Sequence, residues 1–207
     1  MDRHESVVVG GSLVSFLPGL TVEQRNAVEL AILFTERATE DEYAAGLVSD
    51  WYGYFRRRMQ YLGWDALSPE QVHWPQPQRQ AIVDKAVSMA RRVGGEKHAS
   101  SLSLSLSALL QSDQALSHLE QHSRERGLFQ LLPCAPAKNG NVDMVIYHEA
   151  GDRQEFTSGF LTRVLQSTTV KAELVRFNIR LFQQEHQARV RRNVERVMVQ
   201  EVLAVKI

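Results

Sequence analysis

The chain has almost no cysteine. Cys134 is the single one among 207 residues, which excludes an intramolecular disulfide and every zinc site built on two or more thiolates. A reducing compartment follows as the expectation. The first residues, Met1-Asp2-Arg3-His4-Glu5 and the short apolar patch Val7 to Val9, lack the positively charged start and continuous apolar run of a secretory signal. No run approaches the roughly 20 apolar residues of a spanning helix. The expected location is therefore cytoplasmic, with release only by a route that needs no classical signal.

Net charge is missing as well. Lys plus Arg and Asp plus Glu number 24 each, so no global field would hold a polyanion and nucleic acid is not an expected partner. The distribution is uneven, however: residues 160–207 carry nine Lys or Arg against four Glu. The standard catalytic and cofactor signatures are absent too: no GxxxxGK[ST], GxGxxG, HExxH, GxSxG or paired CxxC. No catalytic residue, cofactor or metal is assigned on these grounds. What is present is average: 43% hydrophobic and 23% charged residues, the composition of a globular protein.

Helical signals dominate the first part of the chain. Thr21-Val22-Glu23-Gln24 has capping-box spacing, and Ala27, Leu30, Ala31, Phe34 and Ala38 follow at helical intervals. Thr39-Glu40-Asp41-Glu42 repeats the cap signature ahead of Tyr43, Leu47, Trp51, Tyr54, Phe55, Met59 and Leu62, which predicts a second helix. A third is expected from Pro77 to Gly94, after an extended connection through His73, Trp74 and Gln76. Residues 99–126 read as one more helix stopped by Gly127, although Leu102, Leu104 and Leu106 alternate with serines as in a strand.

After Gly127 the texture becomes strand-like. Leu128 to Ala135 and Val142 to Glu149 flank Lys138-Asn139-Gly140-Asn141, a strong hairpin signal. Residues 154–166 and 170–182 are two further strand candidates, with a helix as the alternative for 170–182, and 184–200 returns to helical spacing. The fold expected is a single α+β domain over 1–207. An N-terminal layer of about four helices (about 21–126) would pack on a C-terminal, mainly antiparallel sheet (about 128–182), and a final helix (about 184–200) would end the chain.

Few residues stand out for chemistry. Arg189, Arg192 and Arg196 share one face of the last helix and could grip an anionic lipid surface, though a solvated face balanced by Glu185, Glu195 and Glu201 is the plainer reading. His148, Glu149 and Asp152 form a polar cluster at a predicted strand end. Cys134 is read as structural: with a two-residue turn at Asn139-Gly140 it would face away from His148 across the sheet. His118 and His122, at i and i+4, have metal-binding spacing but no third ligand nearby in sequence.

The function this suggests is a non-enzymatic protein acting by binding or membrane interaction. Helices followed by long amphipathic strands resemble, in layout only, the arrangement of cytolysin-type pore-forming toxins. An anionic membrane or a protein would then be the partner, with homo-oligomers as one outcome. The alternatives are an intracellular, self-associating adaptor or regulator and an enzyme of unrecognised type using His148, Glu149 and Asp152.

Overall fold

The computed structural model describes residues 4–68, 70–73 and 80–207. The expected helix start at Pro77 and the extended geometry of Trp74 and Gln76 lie outside them. Strands β1 (Glu5–Val9) and β2 (Ser12–Phe16) open the chain as a hairpin turning at Gly10-Gly11, and helices α1 (Val22–Ala44) and α2 (Trp51–Tyr61) follow. Two short strands, β3 (Trp64–Ala66) and β4 (Gln71–His73), precede helices α3 (Ile82–Gly94), α4 (Glu96–Leu109) and α5 (Asp113–Arg126). Then come β5 (Leu128–Pro136), β6 (Val142–Ala150) and β7 (Thr169–Phe177), and finally helix α6 (Gln187–Glu201) and strand β8 (Val202–Val205).

The strands form one mixed sheet in the order β3-β7-β6-β5-β2-β1-β8, with β4 sharing the outer edge of β7 with β3. Among the described residues, β2 and β5 are the one parallel pair and the other pairs are antiparallel. Both faces are covered. On one, α1, α2 and α6 pack over Val14, Phe16, Leu132, Met144, Ile146 and Val175. On the other, α3, α4 and α5 pack over Leu13, Phe129, Leu131, Tyr147 and Ala172.

This architecture corrects the expected one. Helices and strands are interleaved along the chain, and there is no N-terminal helical layer resting on a C-terminal sheet. The reason is visible in β2, whose five residues are all buried. A strand buried on both faces needs a helical layer on each side, so the helices divide between the two faces.

Local boundaries also differ. The capping box at Thr21 is present, with Gln24 N–H donating to Thr21 Oγ1 (3.1 Å) and Thr21 N–H to Gln24 Oε1 (2.8 Å). The second cap signature at Thr39 is overridden, because α1 runs on to Ala44. The Thr39 hydroxyl is buried inside α1 and donates to the Thr35 carbonyl at 2.7 Å, a common fate of a mid-helix threonine. The helix that does follow is capped by Asp50, whose carboxylate accepts from Gly53 N–H at 3.0 Å. The stripe from Tyr43 to Leu62 is thereby split, and Leu47 is left exposed between helices.

Residues 99–126 form two helices separated at Leu110–Ser112, and α5 ends at Gly127 in the left-handed region (φ 73°). Residues 154–166 are not a strand; short helical turns form at Arg153–Glu155 and Phe160–Thr162, and Phe156, just after the first, and Phe160, in the second, plug the second core. Strand β7 stops at Phe177, where Asn178 caps a helical turn through its side chain (3.0 Å to Leu181 N) and a π-helical stretch, Phe182–His186, leads into α6.

Candidate functional site

The polar strand-end residues do not converge. His148 and Glu149 are neighbours on β6 and so point to opposite faces of the sheet. His148 lies under α2, its ring 5.6 Å from that of Trp51 and 4.8 Å from that of Tyr52. Burial, reinforced by the Lys171 charge, pushes its pKa down to about 3, so the imidazole is neutral at pH 7 and a poor proton acceptor. Glu149 is fully buried on the other face, where it accepts hydrogen bonds from Lys85 Nζ (2.6 Å), Tyr147 Oη and Thr168 Oγ1. Asp152 is exposed and caps a turn by accepting from Gln154 N–H at 2.9 Å.

His148 belongs instead to a polar row that crosses four strands, since Ser12, Gln130, His148 and Lys171 are register neighbours. Above the row, Glu36 of α1 accepts from Gly11 N–H (2.9 Å), Ser12 Oγ and Arg126 Nη1 (3.0 Å). Glu173 of β7 accepts from Tyr52 Oη (2.5 Å), Arg56 Nε and Arg56 Nη2 (3.2 Å). These contacts fasten α1, α2 and α5 to the sheet through buried charge pairs.

Cys134 and His148 share a face, contrary to the expected register. The loop is longer than two residues: Ala137 N–H bonds Asn141 O at 2.9 Å around a turn at Lys138–Gly140, so Cys134 pairs with Met144 and His148 with Gln130. A one-residue change of register moves every side chain to the other face. The two groups are nonetheless four residues apart along the sheet, about 13 Å at 3.3 Å per residue, beyond any nucleophile–base contact. Burial also holds the Cys134 thiol well above its usual pKa. Native protein should therefore react with a thiol reagent far more slowly than urea-unfolded protein, and rapid native labelling would contradict this placement.

Arg189, Arg192 and Arg196 are exposed on α6, opposite the buried Val190 and Val194. None of the three is ion-paired among the described residues. Arg189 Nη2 donates to Tyr61 Oη at 3.0 Å, and its guanidinium lies 5.3 Å from the Tyr61 ring centroid. Tyr61 shares a face of α2 with Tyr54, Arg57 and Arg58, being spaced i, i+3, i+4 and i+7, and both arginines stack over Tyr54 at 5.7 and 5.4 Å. The contact between Tyr61 and Arg189 joins the two stripes into one basic, aromatic surface. Tyr61 is 53% exposed, and Val199 on the same side of α6 is 86% exposed. Arg56, Arg57 and Arg58 are consecutive in the sequence, where solvent is the default surrounding for such a run. Helical spacing separates them, turning Arg56 inward to Glu173.

His118 and His122 face each other on α5 with ring centroids 4.5 Å apart. The carboxylate of Glu201, at the end of α6, comes within 3.6 Å of His118 Nε2 and 3.3 Å of His122 Nε2. Burial, with the nearby Arg126 charge, lowers the His122 pKa. No local spacing in the sequence connects residue 201 to α5; only the fold does.

None of the described helices is long and apolar enough to cross a membrane. No family model matches the chain, and no curated protein sequence matches it. Among solved structures, that of the Evf virulence factor aligns with 92% of this chain and 84% of its own, at 12% identity and a TM-score of 0.35. A likeness this loose transfers neither fold nor activity.

Proposed function

We propose that this is a binding protein that docks on an anionic lipid surface through the basic, aromatic face of α2 and α6. The observation that carries the reading is the contact of Tyr61 with Arg189. It makes two separate arginine stripes continuous and sets them beside exposed apolar groups. Arginine stems and tyrosine rings suit the boundary between water and lipid, where one end of a side chain is apolar and the other wet. With no carboxylate paired to Arg189, Arg192 or Arg196 among the described residues, their charge stays available to an external anion.

Docking needs no release of helices. The buried pair of Arg56 and Glu173, the stacking of Trp51 on His148 and the tilted contact of Tyr52 with the same ring hold α2 down, which favours peripheral attachment of the folded protein over a toxin-like unfolding of its helical layer. The test is co-sedimentation of the purified chain with vesicles of equal parts phosphatidylserine and phosphatidylcholine, against phosphatidylcholine alone. Binding should require the anionic lipid. It should weaken as added salt shortens the Debye length from about 10 Å at 0.1 M to about 3 Å at 1 M. Replacing Arg189, Arg192 and Arg196 together by Ala should cost up to about 3 kcal/mol, at about 1 kcal/mol per basic residue near the surface. Equal binding to both vesicle types, or none to either, would remove the proposal.

A further inference from the structure

We infer that His118, His122 and Glu201 form a binding site for a divalent transition-metal ion of the zinc class. Three features of the fold converge on it. The histidines are one helical turn apart on α5, so both imidazoles project from the same face toward one point. Glu201 is brought to that point from the far end of the chain, and its position is fixed: its carbonyl accepts from Gly10 N–H at 2.9 Å, pinning the junction of α6 and β8 to the β1–β2 turn. The donor atoms of all three residues lie within 4.8 Å of one another.

The spacing suits the ion. Ligands at about 2.0–2.1 Å from a tetrahedral zinc sit about 3.3 Å from each other, close to the 3.3 and 3.6 Å that separate the Glu201 oxygen from the two Nε2 atoms. Two imidazoles and one carboxylate are borderline-soft donors of the kind that hold zinc or cobalt, and three protein ligands leave a tetrahedral position open to water.

The surroundings leave these donors free for a cation. His118 Nε2 is shielded from solvent and has no hydrogen-bond partner. Arg126, one turn beyond His122 on α5, is taken up by Glu36 (3.0 Å) and Glu40 (3.4 Å). Among the described residues the ionic contacts of Glu201 are with the two imidazoles alone. A bound ion would tie α5 to the end of α6 and to β8, the edge strand of the sheet.

Titrating Zn²⁺ into the purified full-length chain should give saturable one-to-one binding by calorimetry and a rise in melting temperature that saturates with it. Co²⁺ should give the intense visible absorption of a four-coordinate site. Loss of an outer-shell partner alone weakens metal binding about 10–100-fold, so His122→Asn and Glu201→Gln should each weaken it by at least about 10-fold. His186→Ala, a histidine outside the cluster, should bind as the unaltered chain does. Metal-free melting curves establish that the variants are folded. Unchanged affinity in folded His122→Asn or Glu201→Gln overturns the inference. So does a weak, six-coordinate cobalt spectrum of the unaltered chain, a readout that depends on no variant.

Discussion

Between pH 7 and pH 4 the stability advantage of the unaltered chain over a His148→Phe variant should shrink by about 3 kcal/mol. The imidazole lies between β6 and α2, where burial and the Lys171 charge bring its pKa from the ordinary 6.5 down to about 3. Below pH 6.5 the unfolded chain takes up a proton that the folded chain refuses. Stability therefore falls through the window from 6.5 to 3, by about 1.4 kcal/mol for each pH unit. Phenylalanine keeps an aromatic ring against Trp51 and Tyr52 but has no proton to gain.

The comparison with a variant is needed because Glu29 works in the other direction. Burial, partly offset by Arg25, raises its pKa to about 7. Its carboxyl thus contributes stability that is fully present below about pH 4.5 and lost as pH rises through 7. In the unaltered chain the two effects oppose each other over much of the acid range. In the difference between the two proteins Glu29 cancels. Urea unfolding at pH 7 and pH 4 measures that difference, and a value that does not change with pH would mean that His148 protonates freely in the folded state.

Replacing Arg56 by Met should cost about 3–5 kcal/mol, the range for removing one partner of a buried ion pair. Glu173 is only 4% exposed, and Arg56 supplies two of its hydrogen bonds, leaving Tyr52 as the remaining donor. Without the guanidinium, the carboxylate must stay charged in an apolar layer or take up a proton. The double variant Arg56→Met with Glu173→Leu should be markedly more stable than Arg56→Met alone, because no buried charge is then left unpaired. Denaturant unfolding of both proteins checks this. A double variant as unstable as the single one would show that the loss comes from packing of the arginine stem and not from the stranded carboxylate.

The parts of this protein legible in its sequence are those governed by a few adjacent residues. The capping box at Thr21, the stop of α5 at Gly127 and the hairpin around Asn139-Gly140 all depend on backbone preferences within one turn. So does the outward stripe of Arg189, Arg192 and Arg196. Where a second local signal competed, the sequence misled: Thr39 resembles a cap, but its buried hydroxyl is taken up inside α1 by the Thr35 carbonyl and the helix runs on to Ala44. The serine–leucine alternation from Ser101 to Ser107 is equally ambiguous, and packing of Leu102, Leu106 and Leu109 against β2 and β5 settles it as helix.

What only the tertiary structure decided is which distant segments meet. The parallel pairing of β2 with β5, the return of β8 to β1, the division of the helices between two faces and the arrival of Glu201 beside His118 and His122 join residues from opposite ends of the chain. Local preference carries no information about such pairings. They are set by the requirement that a sheet apolar on both sides be covered on both sides, and that each buried strand find neighbours for its backbone hydrogen bonds. The hairpin register shows the same limit: Asn139-Gly140 located the turn, but the bond from Ala137 to Asn141 chose the face on which Cys134 and His148 lie.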